Sequence, residues 1–133
     1  MFEGLRFQHW QTSIDEGGVV VLSLDRAGSR VNALSRAVLE ELAQIVERLA
    51  IEQPAGVIVH SAKPAGFAVG ADVKEFVAIA GQGGVQENIE NGQRTYEALA
   101  RLPCPTVAAI HGACLGGGAE LALACRQRIA ADE

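Results

Sequence analysis

The sequence predicts an α/β fold with crossover helices, and three observations lead there. Two strand-like segments near the N-terminus are separated by Asp15-Glu16-Gly17-Gly18, a turn sequence. Apolar runs of strand length then alternate with segments whose apolar residues recur at helical spacing. Finally, the run Thr106 to Ile110 ends in a glycine cluster and passes into an alanine-rich helix pattern.

Taken in order, Leu5 to Ile14 and Val19 to Leu24 are the two strands of the expected hairpin. Val19-Val20-Val21-Leu22 is continuously apolar, as in a strand covered on both faces. Asp25 to Asn32 is a polar loop. Ser35 offers an N-cap, and Val38, Leu39, Leu42, Ile45, Val46 and Leu49 form one helical stripe. Gly56 to Ser61 reads as a buried strand, and Lys63 to Ala71 as a Gly/Pro/Ala loop. Asp72-Val73-Lys74-Glu75 has the form of a capping box, so a short helix is expected there. Gly81-Gln82-Gly83-Gly84 breaks it. Gln86 to Arg101 is a further helix, although Gly92 inside it costs ~1 kcal/mol relative to alanine. Pro103-Cys104-Pro105 stops that helix, Thr106 to Ile110 is a strand, and Gly117 to Cys125 a helix. Arg128 to Ala130 begins another strand. No internal repeat, low-complexity tract or linker divides the chain.

The 133 residues are enough for one domain or part of one, and 49% hydrophobic content supports a sizeable core. A net charge of -5 without a basic run argues against nucleic acid as the main partner. No apolar stretch approaches the ~18 residues of a membrane span. No basic segment followed by an apolar one marks a signal peptide at the N-terminus. Cys104, Cys114 and Cys125 are odd in number and lack C-x-x-C spacing, which points to reduced thiols in a cytoplasmic setting. No histidine has a metal-like partner spacing, so no metal site is expected.

Chemistry concentrates at Ile110 to Cys125, I-H-G-A-C-L-G-G-G-A-E-L-A-L-A-C. Glycines at a helix start leave backbone N–H groups free and approachable, and such groups hold developing negative charge. Glu120 is an acid in an otherwise apolar helix and a candidate acid–base group; the helix macrodipole alone also favours an acid there. Gly116-Gly117-Gly118 starts a dinucleotide fingerprint, but Leu121 occupies the last glycine position. A phosphate loop would need a Lys-Ser/Thr pair that is missing. Gly112-Ala113-Cys114-Leu115-Gly116 has the G-x-C-x-G form of a thiol nucleophile elbow, with His111 as the nearby base; Cys114 as a small buried residue is the plainer reading. A second small-residue turn, Gly66 to Phe76 (G-F-A-V-G-A-D-V-K-E-F), also feeds a helix. Two such turns can aim two N–H groups at one carbonyl oxygen.

The segments Gly66–Phe76 and His111–Cys125 resemble the two signatures of the crotonase (enoyl-CoA hydratase/isomerase) superfamily. Leu24-Asp25-Arg26 and Asn32-Ala33-Leu34 resemble its N-terminal strand and CoA-contacting loop. The wording of Ala113 to Leu115 and of Ala122 to Ala131 is similar to the hydratase part of multifunctional fatty-acid oxidation α-subunits. The resemblance implies a crotonase-like ββα superhelix, of which this chain is the N-terminal portion. It implies that Ala71 and Gly117 donate the two oxyanion N–H groups and that Glu120 is a catalytic carboxylate. It places Asp72, Val73, Lys74 and Gly116 along the acyl-CoA site and Ala33 and Leu34 near the CoA. The implied reaction is hydration of 2-enoyl-CoA, or enoyl-CoA isomerisation, with no cofactor because coenzyme A belongs to the substrate. An oligomer, or a complex with a thiolase β-subunit, is the implied assembly. One departure stands out: the family's second hydratase glutamate follows a proline, and Glu133 does not match it. The chain is therefore expected to be a fragment and inactive by itself. Two other functions stay open: a non-catalytic CoA-binding or assembly module, and a Cys114 thiol hydrolase.

Overall fold

The computed structural model describes residues 1–132. Its elements are β1 (Trp10–Ile14), β2 (Val19–Leu24), α1 (Arg36–Glu52), β3 (Gly56–Ser61), β4 (Gly66–Ala68), α2 (Val73–Gly81), α3 (Val85–Ala100), β5 (Thr106–Ile110), β6 (Ala113–Cys114), α4 (Gly117–Ala124) and β7 (Gln127–Ala130). Five strands form one sheet in the order β1-β2-β3-β5-β7; β4 and β6 form a separate two-stranded parallel sheet. Only β1 runs antiparallel to its neighbour, pairing Trp10 with Leu24 through Ile14 with Val20. The strands β2, β3, β5 and β7 are mutually parallel, so each connection between them must cross over, as the alternating pattern predicts.

Strand alternation decides which face is core. Val20, Leu22, Leu24, Val57, Val59 and Ala108 are all buried, whereas Val21, Ile58 and Val107 are only half-buried. The core face meets α1, which contributes Val38, Leu42, Ile45, Val46 and Leu49. Ser35 begins that helix by accepting from the Val38 amide, as expected of its type. Trp10 closes one end of the core; it is buried and its indole Nε1–H donates to the Val38 carbonyl at 3.0 Å.

Three expectations change, and the expected helix around Gly92 gains its reason. The first strand covers only Trp10–Ile14, because the Glu41 carboxylate on α1 takes the Gln8 and His9 amides, each at 2.9 Å, away from a sheet ladder. The expected loop after Lys63 contains β4, which pairs Gly66 with Ala113 and Ala68 with Cys114. The capping box is half-formed: Asp72 accepts from the Glu75 amide, but the Glu75 carboxylate accepts from the Arg36 amide at 2.6 Å and so ties α2 to α1. Gly92 does not weaken α3 into two pieces. It is buried against α1, where a Cβ would stand 3.5 Å from Leu39 Cδ1.

Candidate active site

The two small-residue turns meet. Gly66 and Ala68 lie beside Ala113 and Cys114, and the Leu115 amide donates to the Ala68 carbonyl at 3.0 Å. This pairing brings Gly70 against the start of α4. A Cβ on Gly70 would lie 3.3 Å from the Gly117 nitrogen, and Gly70 has φ +99°, so glycine is required on both counts. Gly118 is pressed even closer to β4: a Cβ there would be driven into the Ala68 carbonyl.

The segment Asn32–Leu34 forms the third wall. Ala33 is bridged in parallel to Gly70, and the Val69 amide donates to the Asn32 carbonyl at 3.0 Å. Leu34 reaches across so that its Cδ1 lies 3.1 Å from where a Gly117 Cβ would be. Ala33 and Leu34 are both buried. Asn32, which opens the segment resembling a CoA-contacting loop, organises this corner. The two N–H groups of its buried side-chain amide are shared among the Leu24 carbonyl, Ser61 Oγ and the Phe67 carbonyl, all within 3.1 Å, and its Oδ1 accepts from the Arg26 amide. A buried asparagine with this many partners ties the ends of β2 and β3 to the middle of β4.

Among the described residues, neither the Ala71 amide nor the Gly117 amide donates to an acceptor in the chain. Gly117 is the first residue of α4, where an unpaired N–H is inherent to the helix end. Ala71 lies one residue ahead of the α2 cap, Asp72, so its free amide belongs to the loop rather than to the helix. Glu120 follows in the first turn of α4; it is exposed and its own amide donates to the Gly116 carbonyl at 3.1 Å. Its side chain lines an open cleft with Tyr96, Glu97 and Leu123.

The remaining predicted contact residues divide. Gly116 stays with the cluster, φ +51° turning the chain into α4. Val73 and Lys74 are exposed on the opening turn of α2. The Asp72 carboxylate is committed: it accepts from Arg26 Nη2 at 2.6 Å as well as from the Glu75 amide. The Arg26 guanidinium, and then the helix amide, hold this carboxyl below the usual aspartate range. Asp72 therefore anchors the loop that presents Ala71.

The thiol-hydrolase reading loses its geometry. Cys114 lies within β6, not at a turn apex, and burial raises its thiol pKa and disfavours the thiolate. His111 Nε2 engages the Lys63 carbonyl at 2.8 Å. His9 and His60 are similarly committed, to the Ala27 amide and to Ser23 Oγ. Among the described residues no group of three His, Cys, Asp or Glu side chains is arranged to hold a metal ion, and no helix is long and apolar enough to cross a membrane.

Comparison with known proteins adds the decisive observation. The family model for enoyl-CoA hydratase/isomerase matches residues 15–133. The chain belongs to the enoyl-CoA hydratase/isomerase family. It is 41% identical over 126 residues to the fatty acid oxidation complex subunit alpha of Vibrio cholerae, covering 93% of this chain and 18% of that protein. The corresponding subunit of Vibrio parahaemolyticus is 40% identical over 121 residues, covering 90% of this chain and 17% of that protein. Among solved structures, an enoyl-CoA hydratase from Bacillus anthracis superposes with TM-score 0.86 at 38% identity, covering 95% of this chain and 48% of that one. An enoyl-CoA hydratase from Mycobacterium smegmatis gives 0.84 at 30% identity, covering 91% and 47%. The fold is thus the crotonase-like one the signatures suggested. The chain spans about half the length of those hydratases and less than a fifth of the complex subunits.

Proposed function

We propose that the protein hydrates 2-enoyl-CoA thioesters to 3-hydroxyacyl-CoA, or shifts their double bond, as a step of fatty-acid oxidation. The observation that carries this reading is the meeting of two loops that each hold an unpaired amide, Ala71 and Gly117, with a carboxylate one turn further along α4. The thioester carbonyl oxygen accepts from both amides. As water adds at the β-carbon, negative charge moves onto that oxygen, where fixed donors stabilise it without reorganising. Glu120 holds the water and takes its proton; a proton delivered to the α-carbon completes the product. Ala33 and Leu34 border the CoA, while Asp72, Val73, Lys74 and Gly116 border the acyl-thioester segment. Coenzyme A is part of the substrate and no further cofactor enters the scheme.

The likeness to fatty acid oxidation complex subunits supports an assembly of the same kind, which the proposal extends to a thiolase subunit as partner and to the cytoplasm. The test is hydration of crotonyl-CoA by the protein expressed from its complete reading frame, beside Glu120→Gln. The substitution keeps size and hydrogen bonding but removes the base, so the rate falls by about 10²–10⁴-fold. Binding of a saturated acyl-CoA changes far less, because the backbone donors remain. An unchanged rate reduces Glu120 to a helix-dipole residue. Binding without turnover in the wild type would identify a CoA-binding module instead.

A further inference from the structure

We infer that Tyr96 is a positioning residue for the Gly117 donor, holding the opening turn of α4 through its hydroxyl. The inference rests on the reading of Ala71 and Gly117 as the thioester's donors. Tyr96 projects from α3, and its Oη donates to the Gly117 carbonyl at 3.2 Å. That carbonyl belongs to the same residue whose amide is unpaired. Gly117 is also confined from both sides. The position its Cβ would take lies 3.5 Å from Tyr96 Oη and 3.1 Å from Leu34 Cδ1. A glycine at a helix start is otherwise free to rotate about φ and ψ, and a small rotation swings its N–H away from a bound oxygen. The Tyr96 contact and the Leu34 contact remove that freedom.

The ring and the hydroxyl have separable tasks. The ring packs against the hydrophobic core, which a phenylalanine does equally well. The hydroxyl does not turn back to its own helix; it crosses to α4 and meets this one carbonyl. Tyr96 also lines the cleft that Glu120 faces. Burial, and secondarily the Glu120 charge, push its phenol well above the ordinary tyrosine range. The group therefore stays protonated and remains a donor at any pH where the protein works. Loss of the hydroxyl leaves the fold but lets the donor wander, and a displacement on the order of 1 Å near reacting atoms is enough to slow catalysis.

The experiment uses the protein expressed from its complete reading frame and cinnamoyl-CoA, a conjugated thioester whose absorption moves to the red when its carbonyl is polarised. Wild type, Tyr96→Phe, Glu120→Gln and Leu99→Val are compared; Leu99 is buried on α3 one turn beyond Tyr96 and carries no hydroxyl, so it serves as the packing control. The absorption maximum is read for bound probe, so partial unfolding does not mimic the effect. The expected result is a red shift in wild type, Glu120→Gln and Leu99→Val that is reduced by half or more in Tyr96→Phe. With crotonyl-CoA, Tyr96→Phe lowers kcat by about fivefold to tenfold, the worth of one hydrogen bond, while KM is little changed. A full red shift in Tyr96→Phe overturns the role of Tyr96 alone. Equal losses in Tyr96→Phe and Leu99→Val also overturn it, by reducing it to general packing. No red shift in the wild type overturns both this inference and the functional reading beneath it.

Discussion

Replacing Gly118 with alanine should destabilise the protein, although helix propensity alone predicts the reverse. The residue lies in the first turn of α4, where alanine is favoured over glycine by about 1 kcal/mol. Against that stands the contact with β4. A Cβ on Gly118 would lie 2.7 Å from the Ala68 carbonyl carbon and 2.9 Å from its Cβ, well inside van der Waals separation, and the obstacle is mostly backbone. The helix must retreat from β4 by up to about 1 Å, and because backbone is the obstacle this overpacking falls in the upper part of the usual range, about 2–3 kcal/mol. The net is a loss of about 1–2 kcal/mol, or a Tm lower by roughly 4–8 °C for a chain of this size. Gly92→Ala supplies the opposite case. There the new methyl meets Leu39 Cδ1 at 3.5 Å, an ordinary contact, in a helix interior. Propensity should prevail, and stability should rise by about 0.5–1 kcal/mol. Urea unfolding of the two variants beside wild type decides the matter. A neutral or stabilising Gly118→Ala would refute the reasoning, because β4 would then not be wedged against α4. The same variant should weaken acyl-CoA binding, since α4 carries Gly117 with it.

Two further outcomes follow from charge and burial. Asp72→Asn keeps an N-cap acceptor but removes the ion pair with Arg26, whose side chains are only 18% and 21% exposed. Because the folded Asp72 pKa is depressed, the pair stabilises above the unfolded value near ~3.9 and is lost as pH falls through the folded value. Urea unfolding should therefore show a deficit of about 0.5–1 kcal/mol at pH 7 that shrinks toward zero at low pH; a deficit independent of pH would show that the charge does not contribute. Cys114 should react with iodoacetamide more slowly than a free thiol near neutral pH, because its pKa is raised by burial. Fast alkylation confined to Cys114 would revive the nucleophile reading.

Much of the architecture was legible because it rests on local chemistry. Ser35 before a six-residue apolar stripe specifies α1, and the apolar runs at Gly56–Ser61 and Thr106–Ile110 specify β3 and β5 to the residue. The misreadings all involve partners far away in sequence. Leu5–His9 has strand-like composition, but Glu41, more than thirty residues on, claims the Gln8 and His9 amides. Gly66–Ala68 has loop-like composition, yet it becomes β4 because Ala113 and Cys114 arrive beside it. The candidate site divides the same way. Helix-start glycines and Glu120 announce themselves by type and position. Asn32 and Tyr96 do not, because their roles depend on acceptors brought in from other elements. The sequence places Asn32 at the end of a polar loop and in the segment that resembles a CoA-contacting loop, but nothing local shows that its amide would meet β2, β3 and β4 together.

The central claim is that Ala71 and Gly117 act as a pair on one oxygen. The most direct measurement is a crystal structure of the protein, expressed from its complete reading frame, with butanoyl-CoA bound. The thioester oxygen is expected at about 3 Å from both amide nitrogens, with the Glu120 carboxylate facing the β-carbon. A thioester seated elsewhere, or held by one amide while the other points away from it, would rule out the paired donors.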